Sequence, residues 1–237
     1  MGEITNPFFF KNRELKNLKV ACMQPYFLPY IGYWQLIHAV DKFVILDDVQ
    51  FITKGWINRN KIIVNGKEHW ITIPLKNANR NRMINEIEIC EKSLWLPKFK
   101  RSIKYNFSKS NFFEKSYELL DCILDNKESN LSKFLLKSIS SICDYLEINI
   151  DILVSSSCSP KGELKGQSRI IEICKNIGAS TYINLPRGKD LYNSSSFSQE
   201  GIELEFLDQC PDQVFLCSIA QILFEKSKKD IKSNFKK

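Results

Sequence analysis

Residues 18–47 read LKVACMQPYFLPYIGYWQLIHAVDKFVILD, and this stretch decides the fold class. Its first residues, Leu18 to Met23, form a short apolar run, which is typical of a strand buried on both faces. Two prolines follow at positions 25 and 29. Because proline removes a helical hydrogen bond and restricts the residue before it, the segment after the strand is predicted to be a loop.

The second half of the same stretch adds a helix and another strand. Apolar residues from Ile31 to Val40 recur at helical spacing, and Phe43 to Leu46 form a second apolar run that ends in Asp47-Asp48. Strand, loop, helix and strand within about 30 residues is the pattern of a βαβ unit. The sequence therefore predicts an α/β protein with a Rossmann-like parallel sheet.

Two insertions into this sheet are predicted. Residues 49–75 predict a β-hairpin, since β-rich runs flank Asn65-Gly66, a dipeptide that favours the tight turns of hairpins. Residues 93–148 carry helical patterns and predict a helical insertion. We expect residues 1–17 to form an N-terminal arm and residues 18–237 to form a single α/β domain.

The remaining sequence predicts further strands and helices of the same sheet. Gly178 follows a helical pattern directly and is a typical helix terminator. The expected elements are a strand at 150–154, a flexible loop at 155–162, a helix at 166–176, a strand at 181–184, a loop-rich segment at 186–201, a strand at 202–207 and helix at 214–235.

Composition excludes several classes of protein. The chain has 237 residues, of which 43% are hydrophobic and 26% charged, as in ordinary globular proteins and unlike disordered or coiled-coil chains. The net charge is +7, and residues 226–237 contain six lysines and one aspartate. That run is either a solvated helix end or a patch for nucleic acid or anionic membrane.

Cysteine usage and hydropathy bear on the compartment. The eight cysteines include no C-x-x-C pair, and there are two histidines, which argues against a structural zinc site. No apolar run approaches the ~18 residues needed to span a bilayer, and no signal-peptide pattern opens the chain. We therefore expect a reduced, cytoplasmic protein without a membrane span and without a bound metal.

The loop after the first strand carries the densest set of candidate site residues. Loops that follow parallel strands lie at the carboxyl edge of the sheet, where α/β proteins bind ligands. Glycine allows a close approach to the backbone, and buried tyrosine and glutamine side chains need polar partners. The alternative is that the aromatic rings only wedge the helix against the sheet. The candidates are Gln24, Pro25, Tyr26, Tyr30, Gly32 and Tyr33.

Asp47 and Asp48 end the second strand at the same edge. One carboxylate there is expected to act as a base, to bind a metal, or to grip a hydroxylated or amine substrate. Because adjacent strand residues point to opposite faces, one member of the pair is expected to serve the site. The alternative is a helix cap, with Asp48 bonding the turn that follows.

Basic residues complete the expected site. Asn58 and Arg59 belong to a basic-polar cluster on or before the hairpin that also includes Lys54, Asn60 and Lys61. Arg59 is expected to orient an anion with two hydrogen bonds. Lys165, Gly166 and Arg169 are expected to close the site from the C-terminal half. Solvated strand residues and simple helix capping are the alternatives. One pocket is predicted, closed by Lys165 and Arg169, and the residues expected to converge on it are Gln24, Tyr26, Tyr30, Tyr33, Asp47, Asp48 and Arg59.

The chain resembles the WbqC-like family of bacterial polysaccharide-locus proteins. The stretch Met23 to Leu75 carries the resemblance, supported by 165–174, 178–184 and 201–206, so that it covers roughly residues 18–224. The resemblance implies a place in O-antigen, capsule or related glycan synthesis. Two departures concern Gln221, where the family tends to have aspartate, and the segment 186–192, which has one glycine where a pair is common.

A weaker resemblance concerns the mechanism. The strand followed by Pro-x-x-x-Pro-Tyr-Ile-Gly-Tyr and a helix resembles the H-x-G-H loop of adenylate-forming HUP-type enzymes, with tyrosines at the histidine positions. The resemblance implies a HUP-type sheet. It also implies a late lysine, Lys161 or Lys165, that closes over ATP phosphates.

The expected function is that of an enzyme of bacterial surface-glycan biosynthesis. We expect acyl or aminoacyl transfer, with amide formation, on a nucleotide-linked amino sugar or glycan precursor. An activated acyl donor or ATP is the expected co-substrate. The alternatives are a non-catalytic sugar-nucleotide-binding partner in a glycan pathway and a glycosyltransferase. The oligomeric state does not follow from the sequence.

Overall fold

The fold is built from nine short strands and nine α-helices, besides short 3-10 helices, in the part of the chain that the structure describes. The structure is a computed structural model, and it describes residues 17–160, 162–208 and 217–236. In chain order the elements are β1 (Lys19–Met23), α1 (Ile31–His38), β2 (Lys42–Ile45), β3 (Arg59–Val64), β4 (Lys67–Thr72), β5 (Leu75–Lys76), β6 (Glu88–Ile89), α2 (Lys92–Phe107), α3 (Phe113–Asp125), α4 (Leu131–Leu146), β7 (Asp151–Val154), α5 (Ser155–Cys158), α6 (Gly166–Ile177), β8 (Thr181–Asn184), α7 (Ser194–Gln199), β9 (Glu203–Phe206), α8 (Ile219–Glu225) and α9 (Lys228–Ser233).

Five of the strands form one parallel sheet. Their order is β7-β2-β1-β8-β9, and every neighbouring pair is parallel. This confirms the predicted α/β class and the Rossmann-like sheet. From β1 the chain proceeds to β2 on one side, whereas β8 and β9 lie on the other side. The order therefore reverses between β1 and β8, and this switch point is where open α/β sheets form a crevice at their carboxyl edge.

The two faces of the sheet have separate hydrophobic cores. Crossover connections between parallel strands are right-handed. A helix whose connection moves to one side along the sheet therefore covers one face, and a helix whose connection moves to the other side covers the opposite face. Trp34 of α1 and Phe43 belong to the core on one face. Ile173 of α6 and Phe197 of α7 pack with Val20 on the other face. The carboxyl edge is consequently flanked by α1 on one side and by α6 on the other.

The predicted hairpin is present. Strands β3 and β4 pair antiparallel from Arg59↔Thr72 to Val64↔Lys67. Asn65 and Gly66 have φ angles of 51° and 73°, so both adopt the left-handed conformation that a two-residue turn of this type requires. The helical insertion is also present, as α2, α3 and α4.

Several local predictions were wrong. The segment 155–162, predicted as a flexible loop, begins with α5, and the loop-rich 186–201 contains a 3-10 helix (Pro186–Leu191) and α7. In the described part of the helix predicted over 214–235 there are two α-helices, because α8 ends at Glu225 and the Ser227 side chain caps α9.

Some sequence predictions concern positions outside the described residues. Of the predicted N-terminal arm, residues 1–16 lie outside them, as do Lys161 and residues 209–216. No helix within the described ranges combines the length and the apolar character that crossing a bilayer requires.

Candidate functional site

The loop after β1 is held in place by the hairpin and by the C-terminal helices. The Asn60 side chain donates to the carbonyl oxygens of Phe27 and Leu28, at 3.1 and 2.7 Å. The Ser218 hydroxyl donates to the Leu28 carbonyl at 2.8 Å, and the Trp34 indole N–H donates to Pro29 at 3.0 Å. Leu28 has a φ of 47°, so these bonds maintain a backbone conformation that leucine rarely adopts. The loop is therefore a rigid element of the sheet edge.

A pocket of about 230 Å³ lies beside this loop. We call it the aromatic pocket. Its lining joins the loop after β1 to the hairpin and to the segment after β8, which places it at the switch point between β1 and β8. The lining residues are Tyr26, Tyr30, Trp56, Asn60, Lys61, Glu68 and Arg187.

Side chains outside the lining pack against the Trp56 wall of this pocket. The rings of Trp56 and Trp70 lie 5.5 Å apart, and the Arg59 guanidinium lies 4.0 Å from the Trp70 ring centre. Burial raises the pKa of the Tyr26 hydroxyl above its ordinary value of 10.0, so this group is a hydrogen-bond donor at neutral pH. The pocket therefore offers aromatic faces together with polar groups.

Charges of both signs line the aromatic pocket. Lys61 and Glu68 form an ion pair across the hairpin. Arg187 is exposed and forms no ion pair with the residues that the structure describes. Its guanidinium is therefore the cation best placed in this pocket to bind a phosphate or carboxylate with two hydrogen bonds.

Gly32 is required by a close contact. A Cβ atom at this position would lie 2.6 Å from Cε2 of Tyr30. The absent side chain thus admits the Tyr30 ring over the start of α1. The group that approaches the Gly32 backbone closely is therefore the Tyr30 side chain of the same chain.

Asp47 and Asp48 lie just beyond the end of β2, and both are buried. Asp47 accepts hydrogen bonds from the backbone N–H and the hydroxyl of Ser156, at 3.0 and 2.7 Å. The Ser155 hydroxyl lies 3.1 Å from Asp47 Oδ1 and 2.5 Å from Asp48 Oδ1. Both residues follow the last residue of β2, so their side chains do not point to opposite faces of the sheet. Both carboxylates lie beside the Ser155 hydroxyl instead. The carboxylate that caps a helix is Asp47, which caps α5.

Asp48 forms a buried ion pair with Arg169 of α6. Its Oδ2 lies 2.9 Å from the guanidinium, and the two side chains are 7% and 4% exposed. Arg169 also bonds Ser159 and Glu172. Its Nε is buried without a hydrogen-bond partner in the described structure. The pair links the end of β2 to the start of α6.

A second cavity of about 410 Å³ lies at the start of α6. We call it the apolar cavity. Gly166 contributes the first residue of α6 to its wall, and its polar side chains are those of Gln50, Lys165, Gln167, Arg169 and Tyr192. The larger part of its wall is apolar and is formed by Leu46, Val49, Met83, Leu164, Ile170 and Leu191.

The structure divides the predicted site residues between these places. Tyr26 and Tyr30 line the aromatic pocket, whereas Lys165, Gly166 and Arg169 line the apolar cavity. Asp48 joins the second group through its ion pair. The single pocket expected from the sequence becomes two, because the loop after β1 and the start of α6 lie on opposite faces of the sheet.

The other predicted residues have contacts within the protein. Tyr33 is fully buried, burial raises its pKa well above 10.0, and its hydroxyl donates to the Gln24 carbonyl at 3.1 Å. The Asn58 amide donates to Ile73 at 2.9 Å. The Arg59 guanidinium donates to the carbonyls of Lys54 and Gly55. Pro25 is buried, and Gln24 is half-buried at the end of β1.

Three pocket residues were missed by the sequence reasoning. Trp56 lies in the segment before β3, where its carbonyl accepts the Phe27 N–H, and Glu68 lies on β4, so no local pattern places either of them beside the loop after β1. Arg187 follows β8, so its position after a parallel strand was the signal that could have identified it. Within the described ranges, no three histidine, cysteine or acidic side chains are grouped as a metal site needs.

Comparison with known proteins identifies one family. The sequence model of the WbqC-like protein family matches residues 24–222 of the chain. The chain is also 28% identical over 191 residues to the uncharacterized protein Rv1507c of Mycobacterium tuberculosis, covering 80% of this chain and 82% of that protein. No solved structure matches. The family match covers the residues that line both cavities and every strand of the parallel sheet except β1, and the chain belongs to the WbqC-like protein family.

Proposed function

We propose that the protein transfers an acyl or aminoacyl group to the amine of a nucleotide-linked amino sugar in bacterial surface-glycan biosynthesis. Membership of the WbqC-like family suggests a glycan-pathway role. The observation that carries the proposal is the aromatic pocket at the switch point of the sheet, where α/β proteins bind nucleotides and related ligands. The cytoplasm is the proposed location, because nucleotide-linked sugars and activated acyl donors are made there.

The lining of the aromatic pocket suits such an acceptor. Sugar rings and bases present flat faces that pack against aromatic side chains, and Tyr26, Tyr30 and Trp56 supply three of them. A diphosphate needs cationic donors, and Arg187 binds it in our proposal. The Tyr26 hydroxyl provides a polar group that orients sugar hydroxyls. The pocket measures about 230 Å³, so it takes part of a sugar nucleotide, with the remainder along the exposed edge.

The proposed reaction balances without a redox partner. The amine nitrogen of the sugar attacks the carbonyl carbon of the activated donor. An amide C–N bond forms, the bond from the carbonyl carbon to the thiol or phosphate leaving group breaks, and the amine proton ends on the leaving group. In our proposal Glu68, the carboxylate that lines the pocket, receives this proton first. In this proposal Asp48 does not take up the proton, and its ion pair holds the Arg169 side chain in place.

Mass spectrometry of reaction mixtures tests the proposed reaction. The purified protein is incubated with nucleotide-linked amino sugars and, in separate mixtures, with acyl thioesters or with ATP plus carboxylic or amino acids. We expect the mass of the sugar nucleotide to rise by the acyl or aminoacyl group. Binding without any mass change contradicts the enzyme and supports a sugar-nucleotide-binding partner. Loss of the sugar from its nucleotide to an acceptor, with divalent metal present, supports a glycosyltransferase.

A further inference from the structure

The apolar cavity has the features of a ligand site separate from the aromatic pocket. Leu191 is 71% exposed and Leu164 is 43% exposed, and both lie in its lining. Large apolar side chains that stay exposed at the mouth of an apolar cavity gain free energy when an apolar ligand covers them. The volume of about 410 Å³ falls within the range of small-molecule sites, roughly 300–1,000 Å³.

One end of the apolar cavity is polar and positively charged. Helix α6 has 12 residues and begins there, and its N-cap residue, Lys165, makes no side-chain cap hydrogen bond. The first N–H groups of a helix lack partners within the helix and carry a partial positive charge. Lys165 itself is exposed and lines the cavity.

A second observation points to a ligand at the same place. Arg169 lines the cavity with a side chain that is 4% exposed, and its Nε is buried without a hydrogen-bond partner among the described residues. A buried N–H group without an acceptor destabilises a protein, so an acceptor atom supplied by a ligand would satisfy it. Tyr192 adds a hydroxyl to the same lining.

From these features we infer that the apolar cavity binds the acyl donor, as an acyl chain joined to a phosphate-bearing handle through a thioester. The chain lies against Leu46, Ile170 and Leu191, and the anionic handle meets Lys165 and the first turn of α6. This inference rests on the proposed function, since it names the donor for that reaction. It assigns the amino sugar and the donor to different cavities.

One segment borders both cavities, which supports this division. The 3-10 helix Pro186–Leu191 contributes Arg187 to the aromatic pocket and Leu191 to the apolar cavity. A ligand in either cavity therefore lies against the same short element. The proposal requires two substrates held on its two sides to meet at the carboxyl edge of the sheet.

Equilibrium binding of octanoyl-coenzyme A and of coenzyme A tests the inference. We expect the octanoyl thioester to bind at least tenfold more tightly, because burial of even two methylene groups supplies about that factor. Leu191→Glu places a charge at the mouth and is expected to remove this preference. Leu94→Glu is the matched control, because Leu94 is 78% exposed and lies on α2 away from the cavity. Lys165→Gln is expected to weaken both ligands several-fold.

The outcomes separate this inference from the proposed function. Equal binding of octanoyl-coenzyme A and coenzyme A, or a chain preference that survives in Leu191→Glu, overturns the donor cavity. Tighter binding of farnesyl phosphate than of the thioester also overturns it, since the ligand is then a prenyl phosphate. A chain preference lost in Leu191→Glu supports the cavity even when no amino sugar binds, and in that case the proposed acceptor is the part that fails.

Discussion

At the scale of single residues, Gly32 links fold to binding. The Tyr30 ring occupies the space where a Cβ atom of residue 32 would lie. In Gly32→Ala this ring has to move, and Tyr30 lines the aromatic pocket. Alanine is favoured over glycine in the interior of a helix by about 1 kcal/mol, and by less at Gly32, which is the second residue of α1. We therefore expect the free energy of unfolding to stay equal or rise while the affinity for a nucleoside diphosphate amino sugar falls several-fold.

Two measurements on this variant decide the point. Urea unfolding reports stability, and titration calorimetry reports affinity. Affinity equal to that of the wild type would show that the position of the Tyr30 ring does not matter for binding. Lower stability would show that the contact at Gly32 cannot relax by rotation of the Tyr30 side chain.

The buried pair of Asp48 and Arg169 makes a second prediction. Asp48→Asn keeps the shape of the side chain and removes its charge, leaving a buried guanidinium with Glu172 as its remaining acidic partner. Removing one partner of a buried ion pair costs roughly 3–5 kcal/mol. We expect a loss near the lower end of that range, because Glu172 still compensates part of the charge.

The matched control is Glu200→Gln, which removes the acidic partner of an exposed pair with Lys175. Exposed pairs contribute about 0–1 kcal/mol. Urea unfolding of both variants provides the comparison. Equal losses in the two variants would show that the Asp48 pair contributes no more than a surface pair.

At the scale of secondary-structure elements, Asn60 of β3 fixes the loop after β1. Its side chain provides two hydrogen bonds to the Phe27 and Leu28 carbonyls. Asn60→Ala leaves the Phe27 carbonyl without this donor, whereas the Leu28 carbonyl keeps the Ser218 hydroxyl. An unsatisfied buried acceptor costs about 1–3 kcal/mol. We expect a stability loss of that order and faster hydrogen exchange at the amides of residues 26–31. Asn106→Ala, within α2, is the control and should leave exchange in that loop unchanged.

Elements with strong local signals were predictable. The strands β1 and β2 are short apolar runs. The hairpin turn follows from Asn65 and Gly66, because these two residue types readily adopt the left-handed conformation that the turn requires. Helix α5 was not predictable from its four residues. Its first turn is stabilised by Asp47, which accepts the Ser156 N–H although the two residues are 109 positions apart in the chain. A cap supplied by a distant residue leaves no periodic pattern in the sequence.

At the scale of the whole molecule, topology explains why one expected pocket became two. The sequence places the loops after β1 and β2 and the start of α6 at one edge of the sheet, and the structure has them there. The sequence does not determine which face each helix covers until the strand order is known. With α1 and α6 on opposite faces, Tyr26 and Arg169 line different cavities.

The central claim is that the aromatic pocket binds a nucleoside diphosphate amino sugar, with Arg187 on its phosphates. Titration calorimetry with UDP-linked and dTDP-linked amino sugars, on the wild type and on Arg187→Gln, tests it most directly. A charge-assisted hydrogen bond contributes about 1.5–3 kcal/mol. We therefore predict that Arg187→Gln weakens binding roughly tenfold to a hundredfold, whereas Arg80→Gln, an exposed control that bonds Thr53, leaves it unchanged. Absent binding in the wild type, or equal affinity in Arg187→Gln, would contradict the account.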